Sequence, residues 1–292
     1  MVETLVRAAA RGHSGAMTIP SKALIDGNSI PAIGLGTYGL RGDDGIASVV
    51  SALQGGYRLL DTALNYENER EVGEGVRRSG VDRAEIIVTT KLPGRHHGYD
   101  ETFASFNESL ANLALDHVDL YLIHWPLPTV NKFVDSWQAM IALREQGLAR
   151  SIGVSNFTEE HLTRLIGETG VTPAVNQVEL HPRFSQPGLR EFHAAHGIVT
   201  ESWSPLAKGS SLLTSPVITG IAEAHGVTPT QVVLRWHVQL GAVPIPKSGD
   251  PDRQRENLDV FGFELADADV EAISALEKGR LWGADPNTHE EF

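Results

Sequence analysis

A (β/α)8 TIM barrel is the fold class this sequence predicts, and three observations predict it. Eight short apolar runs of β character recur along the 292 residues. Most are continuous rather than alternating, as strands buried on both faces of a parallel sheet require. Segments with helical periodicity and recognisable caps lie between them, and the length suits one large barrel. The Gly-rich fingerprint that would open a doubly wound sheet does not follow the first run.

Residues 1–16 stand apart from this pattern. They place Arg7 and Arg11 in an Ala-rich stretch whose apolar run is too short for a secretory signal. They are expected to be a disordered leader, an upstream start or an expression remnant. Residues 17–292 are expected to form a single barrel domain, because no long Pro/Gly/Ser linker divides them. Lys22–Ile25 and Ser29–Ile33 flank Asp26-Gly27-Asn28, the pattern of a β-hairpin that would close the bottom of the barrel. The eight apolar runs follow: Ala32–Leu35, Arg58–Leu60, Ile86–Thr90, Val118–Ile123, Ser151–Val154, Ala174–Val178, Ile198–Thr200 and Ala242–Ile245.

Helix signals fill the gaps. Thr158 precedes Glu159 and Glu160, and Leu162, Leu165 and Ile166 then form an apolar stripe, the pattern of a capped amphipathic helix. Thr228-Pro229-Thr230-Gln231 combines an N-cap, a proline at the first helical position and a capping-box glutamine. Asp267 is placed to cap a last helix carrying Val270, Ile273 and Leu276.

Charge and composition narrow the function classes. With 24 Lys+Arg against 37 Asp+Glu the net charge is −13, which argues against partners recruited by general attraction to nucleic acid or an anionic membrane. No run approaches the roughly 18 apolar residues of a spanning helix. Cysteine is absent, so disulfides, thiolate metal sites and cysteine nucleophiles are excluded together. A cytoplasmic protein is expected. His96-His97 and His193/His196 have metal-like spacing, but a site needs three or more convergent ligands and nothing nearby completes one. No metal is expected.

Barrel enzymes carry catalytic groups at the C-terminal ends of their strands. Here Asp61 follows Arg58-Leu59-Leu60, with Tyr66 five residues on; Lys91 follows Ile86–Thr90, and His124 follows Val118–Ile123. Singly, each has a plain structural explanation: a helix cap, a loop aromatic, a solvated rim charge, a core histidine. Together they aim four titratable groups at one mouth, and that set suits carbonyl reduction. A phenol with a pKa of about 10 is a weak acid at neutral pH. A cation about 4 Å away, at an effective dielectric near 20, is worth about 4 kcal/mol. Lys91 is therefore expected to bring the Tyr66 phenol toward working pH, with Asp61 orienting and neutralising Lys91. Neutral His124 would hydrogen-bond the carbonyl oxygen. A strand-end lysine also suits Schiff-base chemistry, which stays open at this point.

Asp61, Tyr66, Lys91 and His124 resemble the catalytic tetrad of the aldo-keto reductases. The surrounding motifs match in order: Leu35-Gly36-Thr37, Arg58-Leu59-Leu60-Asp61-Thr62-Ala63, Thr90-Lys91-Leu92, Leu122-Ile123-His124-Trp125-Pro126, Ile152-Gly153-Val154-Ser155-Asn156-Phe157, Asn176-Gln177-Val178-Glu179 and Ile245-Pro246-Lys247-Ser248. The resemblance runs from about Ile30 to Asp285-Pro286 and is strongest to prokaryotic reductases of the 2,5-diketogluconate reductase type. It implies NADPH as cofactor and a small-molecule carbonyl substrate, with the chain acting as a monomer. Ser155, Asn156 and Gln177 match residues that bind the nicotinamide carboxamide, and Trp203 the aromatic ring that stacks on the nicotinamide. Ser204, Pro205 and Leu206 match the loop along the pyrophosphate, and Gly36 and Thr37 the strand end near the ribose. Lys247, Ser248 and Arg253 match the group that binds the 2′-phosphate, with Glu256 and Asn257 around the adenine. Two cations and a hydroxyl also suit a phosphate on chemical grounds, although Asp250 and Asp252 dilute the charge. Tyr38, Trp125 and Trp282 are the expected apolar wall of the substrate pocket. The alternative to an enzyme is a cofactor-sensing binding protein of the same fold.

Overall fold

In a computed structural model, residues 19–208 and 210–291 are described; the expected leader at residues 1–16 lies outside them. The chain opens with β1 (Ser21–Ala23) and β2 (Ser29–Pro31), then runs β3 (Leu35–Gly36), α1 (Gly42–Gln54), β4 (Leu59–Asp61), α2 (Glu69–Arg78), β5 (Ile87–Leu92), α3 (Tyr99–Leu113) and β6 (Val118–Ile123). It continues through α4 (Phe133–Glu145), β7 (Ala149–Ser155), α5 (Glu159–Thr169), β8 (Val175–Glu179), α6 (Pro187–His196) and β9 (Val199–Trp203). The last elements are α7 (Pro216–His225), α8 (Pro229–Gln239), β10 (Val243–Pro244), α9 (Pro251–Leu258) and α10 (Asp267–Ser274). Strands β3 to β10 pair in sequence order, each parallel to the next.

The sheet closes on itself. Gly34 N–H donates to Pro244 O at 3.0 Å and Gly36 N–H to Pro246 O at 3.1 Å, and Gly36 bridges Lys247 in parallel. Closure leaves no sheet edge unpaired. It also brings the Gly36-Thr37 turn beside the Lys247-Ser248 segment.

Strand periodicity divides the apolar residues into two populations. Leu59, Leu120, Leu122, Val175, Val243 and Ile245 fill the barrel interior, where Leu24 and Ile30 of the hairpin join them. Leu60, Tyr121, Ile123, Ile152 and Val154 face outward into the helical layer with Leu53, Phe106 and Trp137. The same alternation that buries Leu59 puts Asp61 on the interior face.

The hairpin closes the bottom as its sequence predicts. β1 and β2 are antiparallel, with Ala23 opposite Ser29. The turn is wider than the Asp26-Gly27-Asn28 triplet suggests, because Leu24 N–H already bonds Asn28 O at 2.8 Å. Gly27 takes φ +89°, which favours glycine. Asn28 Nδ2 ties the turn to Ser151 Oγ at 3.0 Å, at the start of β7.

Two of the expected helix caps form as expected. Thr158 and His161 make a reciprocal capping box at α5, and Thr228 and Gln231 make one at α8. The third expectation is corrected. Ala266 is the N-cap of α10 and Asp267 its first helical residue, so Asp267 serves the helix dipole from the first turn and does not cap. His193 is spent inside the fold, with its ring nitrogens on Thr200 Oγ1 and Asn176 Nδ2. Among the described residues no helix is long and apolar enough to cross a membrane.

Thr228 also donates to Glu256 Oε1 at 2.6 Å, fastening α8 to α9. Thr228→Ala removes the cap and this tie together, and is expected to cost about 1–2 kcal/mol. Thermal melting should show Thr228→Ser recovering most of the loss; an unchanged melting point for the alanine variant would contradict the role of the cap.

Candidate active site

Asp61 is the last residue of β4, Lys91 the next to last of β5, and His124 the residue after β6. His124 N–H still bonds Leu92 O at 3.1 Å, so its backbone is held by the sheet. Tyr66 ends a single 3-10 turn, Leu64–Tyr66, on the loop after β4. The fold thus delivers the four expected side chains to one mouth.

Lys91 is fully buried, and its ammonium has a partner in every direction. It donates to Asp61 Oδ1 at 2.7 Å and Oδ2 at 2.8 Å, to Thr62 O at 2.9 Å, and to Tyr66 Oη at 3.4 Å. The same ammonium lies 4.9 Å from the centroid of the Tyr66 ring. Burial alone pushes the Lys91 ammonium down; Asp61 and then Tyr66 push it further up, so it lies above the ordinary lysine value. An ammonium held this way has no lone pair to offer, which speaks against the Schiff-base reading.

The expectation that Lys91 acidifies Tyr66 toward neutrality is corrected. Burial pushes the phenol above its ordinary value, Lys91 pulls it back, and Asp61 pushes it up again. The net direction is upward, because burial outweighs the pull of Lys91 and Asp61 adds to it. Tyr66 therefore rests as a protonated phenol. Because Lys91 donates to its oxygen, its own hydroxyl proton remains available to a substrate.

A second network flanks His124. Asn156, in the left-handed region at φ +63°, donates from Nδ2 to His124 O at 3.0 Å and to Ser155 Oγ at 3.1 Å. Ser155 Oγ donates to Gln177 O at 2.8 Å, and Trp203 Nε1 to Asn156 Oδ1 at 2.8 Å. Trp203 is half-buried, so it is no core residue; its indole is pinned at the mouth by one bond. Gln177 spends Nε2 on Asp61 Oδ2 at 2.8 Å and Glu201 Oε2 at 3.0 Å. Thr37 is turned inward too, with its N–H and hydroxyl both on Asp61 O.

The remaining expected cofactor residues cluster along one side. Ser204 sits at φ +49°, and the Pro205 carbonyl accepts from His237 Nε2 at 3.0 Å, with Leu206 half-buried beside it. Lys247 and Arg253 are exposed, and among the described residues neither makes an ion pair. Ser248 is buried beneath them. Asp250 caps α9 by accepting from Asp252 N–H and Arg253 N–H, so its charge answers the helix dipole. Glu256 accepts from Thr228 and stays partly exposed, and Asn257 is buried.

Of the expected pocket wall, Tyr38 is 68% exposed and meets Tyr66 edge to face at 5.1 Å. Trp125 is buried under His289, with ring centroids 4.2 Å apart. Trp282 is exposed, and the backbone N–H before it, that of Leu281, bonds Glu179 Oε1 at 2.7 Å at the end of β8.

Three residues of the site were not read from the sequence. Glu201 lies beneath Asp61 with its Oε1 unpaired; strand alternation from Trp203 would have placed it on the interior face. His237 holds the Pro205 carbonyl, and Glu291 approaches His124. Neither carries a local signal, because both act far from their partners in sequence.

A family model described as the aldo/keto reductase family matches residues 32–278. The chain is 64% identical over 274 residues to 2,5-diketo-D-gluconic acid reductase B of Corynebacterium sp., covering 94% of this chain and 99% of that one. It is 47% identical over 277 residues to morphine 6-dehydrogenase of Pseudomonas putida, covering 90% and 93%. The crystal structure of a Gox0644 mutant in complex with NADPH matches with a TM-score of 0.89 at 47% identity, covering 94% and 99%.

Glu201 gives the site a pH signature. Burial, then Asp61, pushes its carboxyl up to about 8, against about 4.3 in an unfolded chain. Between those values the folded protein keeps a proton that the unfolded chain releases, so this residue makes stability fall as pH rises to about 8. Glu201→Gln should remove that slope: its melting point relative to the parent should climb from pH 5 to pH 8. Parallel melting curves across that window would contradict a buried, protonated Glu201.

Proposed function

The chain belongs to the aldo/keto reductase family, and we propose that its barrel mouth binds NADPH and reduces small aldehydes and ketones, dicarbonyls and keto-sugars among them, with Tyr66 as general acid. The observation that carries this is the Asp61–Lys91–Tyr66 chain of contacts, buried at one end and open to the mouth at the other. The similarity to a diketogluconic acid reductase favours a dicarbonyl or keto-sugar acid as substrate.

The residues present fit the cofactor. Trp203 offers a half-exposed indole face beside Ser155 and Asn156, whose polar atoms are already aligned by one another. Gln177 has committed its amide N–H groups to two carboxyl groups, which leaves its carbonyl oxygen to accept from a carboxamide. Lys247, Arg253 and Ser248 would hold the 2′-phosphate, and Arg253 offers the planar fork suited to it. Bound there, NADPH supplies the hydride that reduces the carbonyl carbon.

The chain's own residues handle the proton and the charge. A carbonyl oxygen seated between Tyr66 and His124, whose rings lie 5.8 Å apart, accepts a hydrogen bond from the phenol while still neutral. As negative charge grows on that oxygen, the phenol proton moves to it. The phenolate left behind faces the Lys91 ammonium, whose field is worth more at that moment than in the resting state. Asp61 keeps Lys91 charged and in place throughout. All these groups come from one chain, so a monomer suffices for the chemistry, and a cysteine-free chain suits the cytoplasm.

Tyr66→Phe should lower turnover by at least about 100-fold while leaving NADPH affinity nearly unchanged, as followed by loss of NADPH absorbance and by fluorescence titration. Full activity in that variant would remove Tyr66 as the donor. Arg253→Ala should weaken NADPH far more than NADH; equal losses would place Arg253 away from the 2′-phosphate.

A further inference from the structure

Asn68 closes the loop that carries Tyr66. That loop joins β4 to α2, and its first end is fixed to the sheet: Thr62 N–H donates to Thr89 O at 3.0 Å, and Thr62 O accepts from Lys91 at 2.9 Å. Its last end is fixed by side chains. Asn68 is fully buried, and Thr62 Oγ1 donates to Asn68 Oδ1 at 2.9 Å across the neck of the loop. Both Nδ2 protons are spent as well, on Thr37 O at 2.7 Å and Leu40 O at 3.0 Å in the turn after β3.

An asparagine here would ordinarily cap the helix behind it. Asn68 is the N-cap of α2 by position, yet its side chain makes no cap hydrogen bond. The amide faces the two loops instead, and its geometry suits them. One carbonyl accepts from the Thr62 hydroxyl while two N–H groups answer two main-chain carbonyls. Aspartate would set a carboxylate against those carbonyls, and serine has one donor for the two.

The loop needs such a clamp because its middle holds itself weakly. Tyr66 N–H bonds Ala63 O at 3.0 Å and Glu67 N–H bonds Leu64 O at 3.1 Å, which makes a single turn. Glu67 then takes φ +53°, in the left-handed region that side chains disfavour. On the outside, Arg41 donates to Tyr66 O and to Glu67 Oε2, each at 3.0 Å. Both of those side chains are exposed, so water and salt weaken their pair. The buried amide is the firmer restraint. Its effect is concentrated on Tyr66, because the 3.4 Å from Lys91 Nζ to Tyr66 Oη is the longest of the ammonium's four contacts. A slight outward shift of the loop would break it.

We propose that Asn68 is a positioning residue for Tyr66: by closing the loop on the turn after β3, its amide holds the phenol against Lys91 and toward the mouth. The same two carbonyl contacts bracket Tyr38, whose ring meets Tyr66 edge to face, so the phenol and this part of the pocket wall are held as one unit. All of this rests on the reading of Tyr66 as general acid.

The test compares the parent with Asn68→Ala, Thr62→Val, Thr62→Ser and Tyr66→Phe, and with Asn68→Ala and Thr62→Val each combined with Tyr66→Phe. It measures kcat, KM, NADPH affinity and melting temperature. Asn68→Ala should lower kcat about tenfold or more, with a smaller change in KM and NADPH affinity near the parent's. Thr62→Val, which loses one of the three bonds, should fall less, and Thr62→Ser should recover most of that loss. If Asn68 acts through Tyr66, the small residual turnover of Tyr66→Phe should be the same with and without Asn68→Ala. A folded Asn68→Ala with the parent's kcat, even at a lower melting point, would overturn the inference, and so would losses that multiply in the double variant. Should Asn68→Ala fail to fold, Thr62→Val and its combination with Tyr66→Phe decide by the same readings. Full activity in Tyr66→Phe alone would instead overturn the general-acid role on which the inference stands.

Discussion

The buried ion pair between Asp61 and Lys91 is the interaction on which the rest of the site depends. A fully buried ammonium is costly unless every proton finds a partner. Here the three protons serve Asp61, Thr62 and Tyr66. Asp61 of β4 is bound from three other strands or strand ends: its carboxylate takes Lys91 of β5 and Gln177 of β8, and its carbonyl takes Thr37 at the end of β3. The pair thus sets the relative positions of β3, β4, β5 and β8 at the mouth. Buried ion pairs are weak sources of stability, since well-packed apolar residues often do as well. Their use here is to hold a charge in a fixed place beside a phenol.

That placement explains why the phenol is not acidic at rest. Burial of the phenol is the largest influence and holds its proton on, Lys91 opposes it, and Asp61 offsets part of that opposition. The balance matters less once charge develops on the phenol oxygen, because the ammonium is its direct neighbour and the carboxylate lies beyond. A site tuned this way favours the state with charge on Tyr66 only while a substrate is taking its proton, which is the differential stabilisation that catalysis requires. Glu201 extends the same logic downward. A second anion under Asp61 would oppose the pair, and the interior resolves this by keeping Glu201 protonated.

The architecture was legible because it is written in local patterns. Val118–Ile123 coincides with β6 to the residue, and the other runs match strands to within a few positions. Asp61, Lys91 and His124 are legible because a polar side chain directly after an apolar run is conspicuous, and Tyr66 because it lies on the loop five residues after Asp61. What escaped was long-range. The hydrogen bonds that turn Thr37 and Gln177 toward Asp61 depend on barrel closure, which no window of sequence contains. The resting state of Tyr66 escaped for a related reason: the strength of Asp61 against Lys91 depends on distances that the order of residues does not fix. Asp267 missed its capping place because an extended residue, Ala266, takes the cap and leaves the aspartate inside the first turn.

The same division separates chemistry from selectivity. The groups that move the proton stand on or beside strand ends, where both neighbouring strands restrain the backbone. The surfaces that would meet the rest of a substrate stand on loops: Tyr38 after β3, Trp125 after β6, and Trp282 in the C-terminal segment. Tyr38 and Trp282 are exposed, and such loops tolerate changes in length and side chain that the strand ends do not. A substitution in a loop can reshape the wall while the Asp61–Lys91–Tyr66 chain stays intact, so the range of carbonyls accepted can change without cost to the proton transfer. Conversely, a change at Gln177 or Thr37, though neither is expected to touch the substrate's reacting atoms, reaches the chemistry through Asp61. Distance from the substrate is therefore a poor guide to importance in this barrel; connection to the buried pair is a better one.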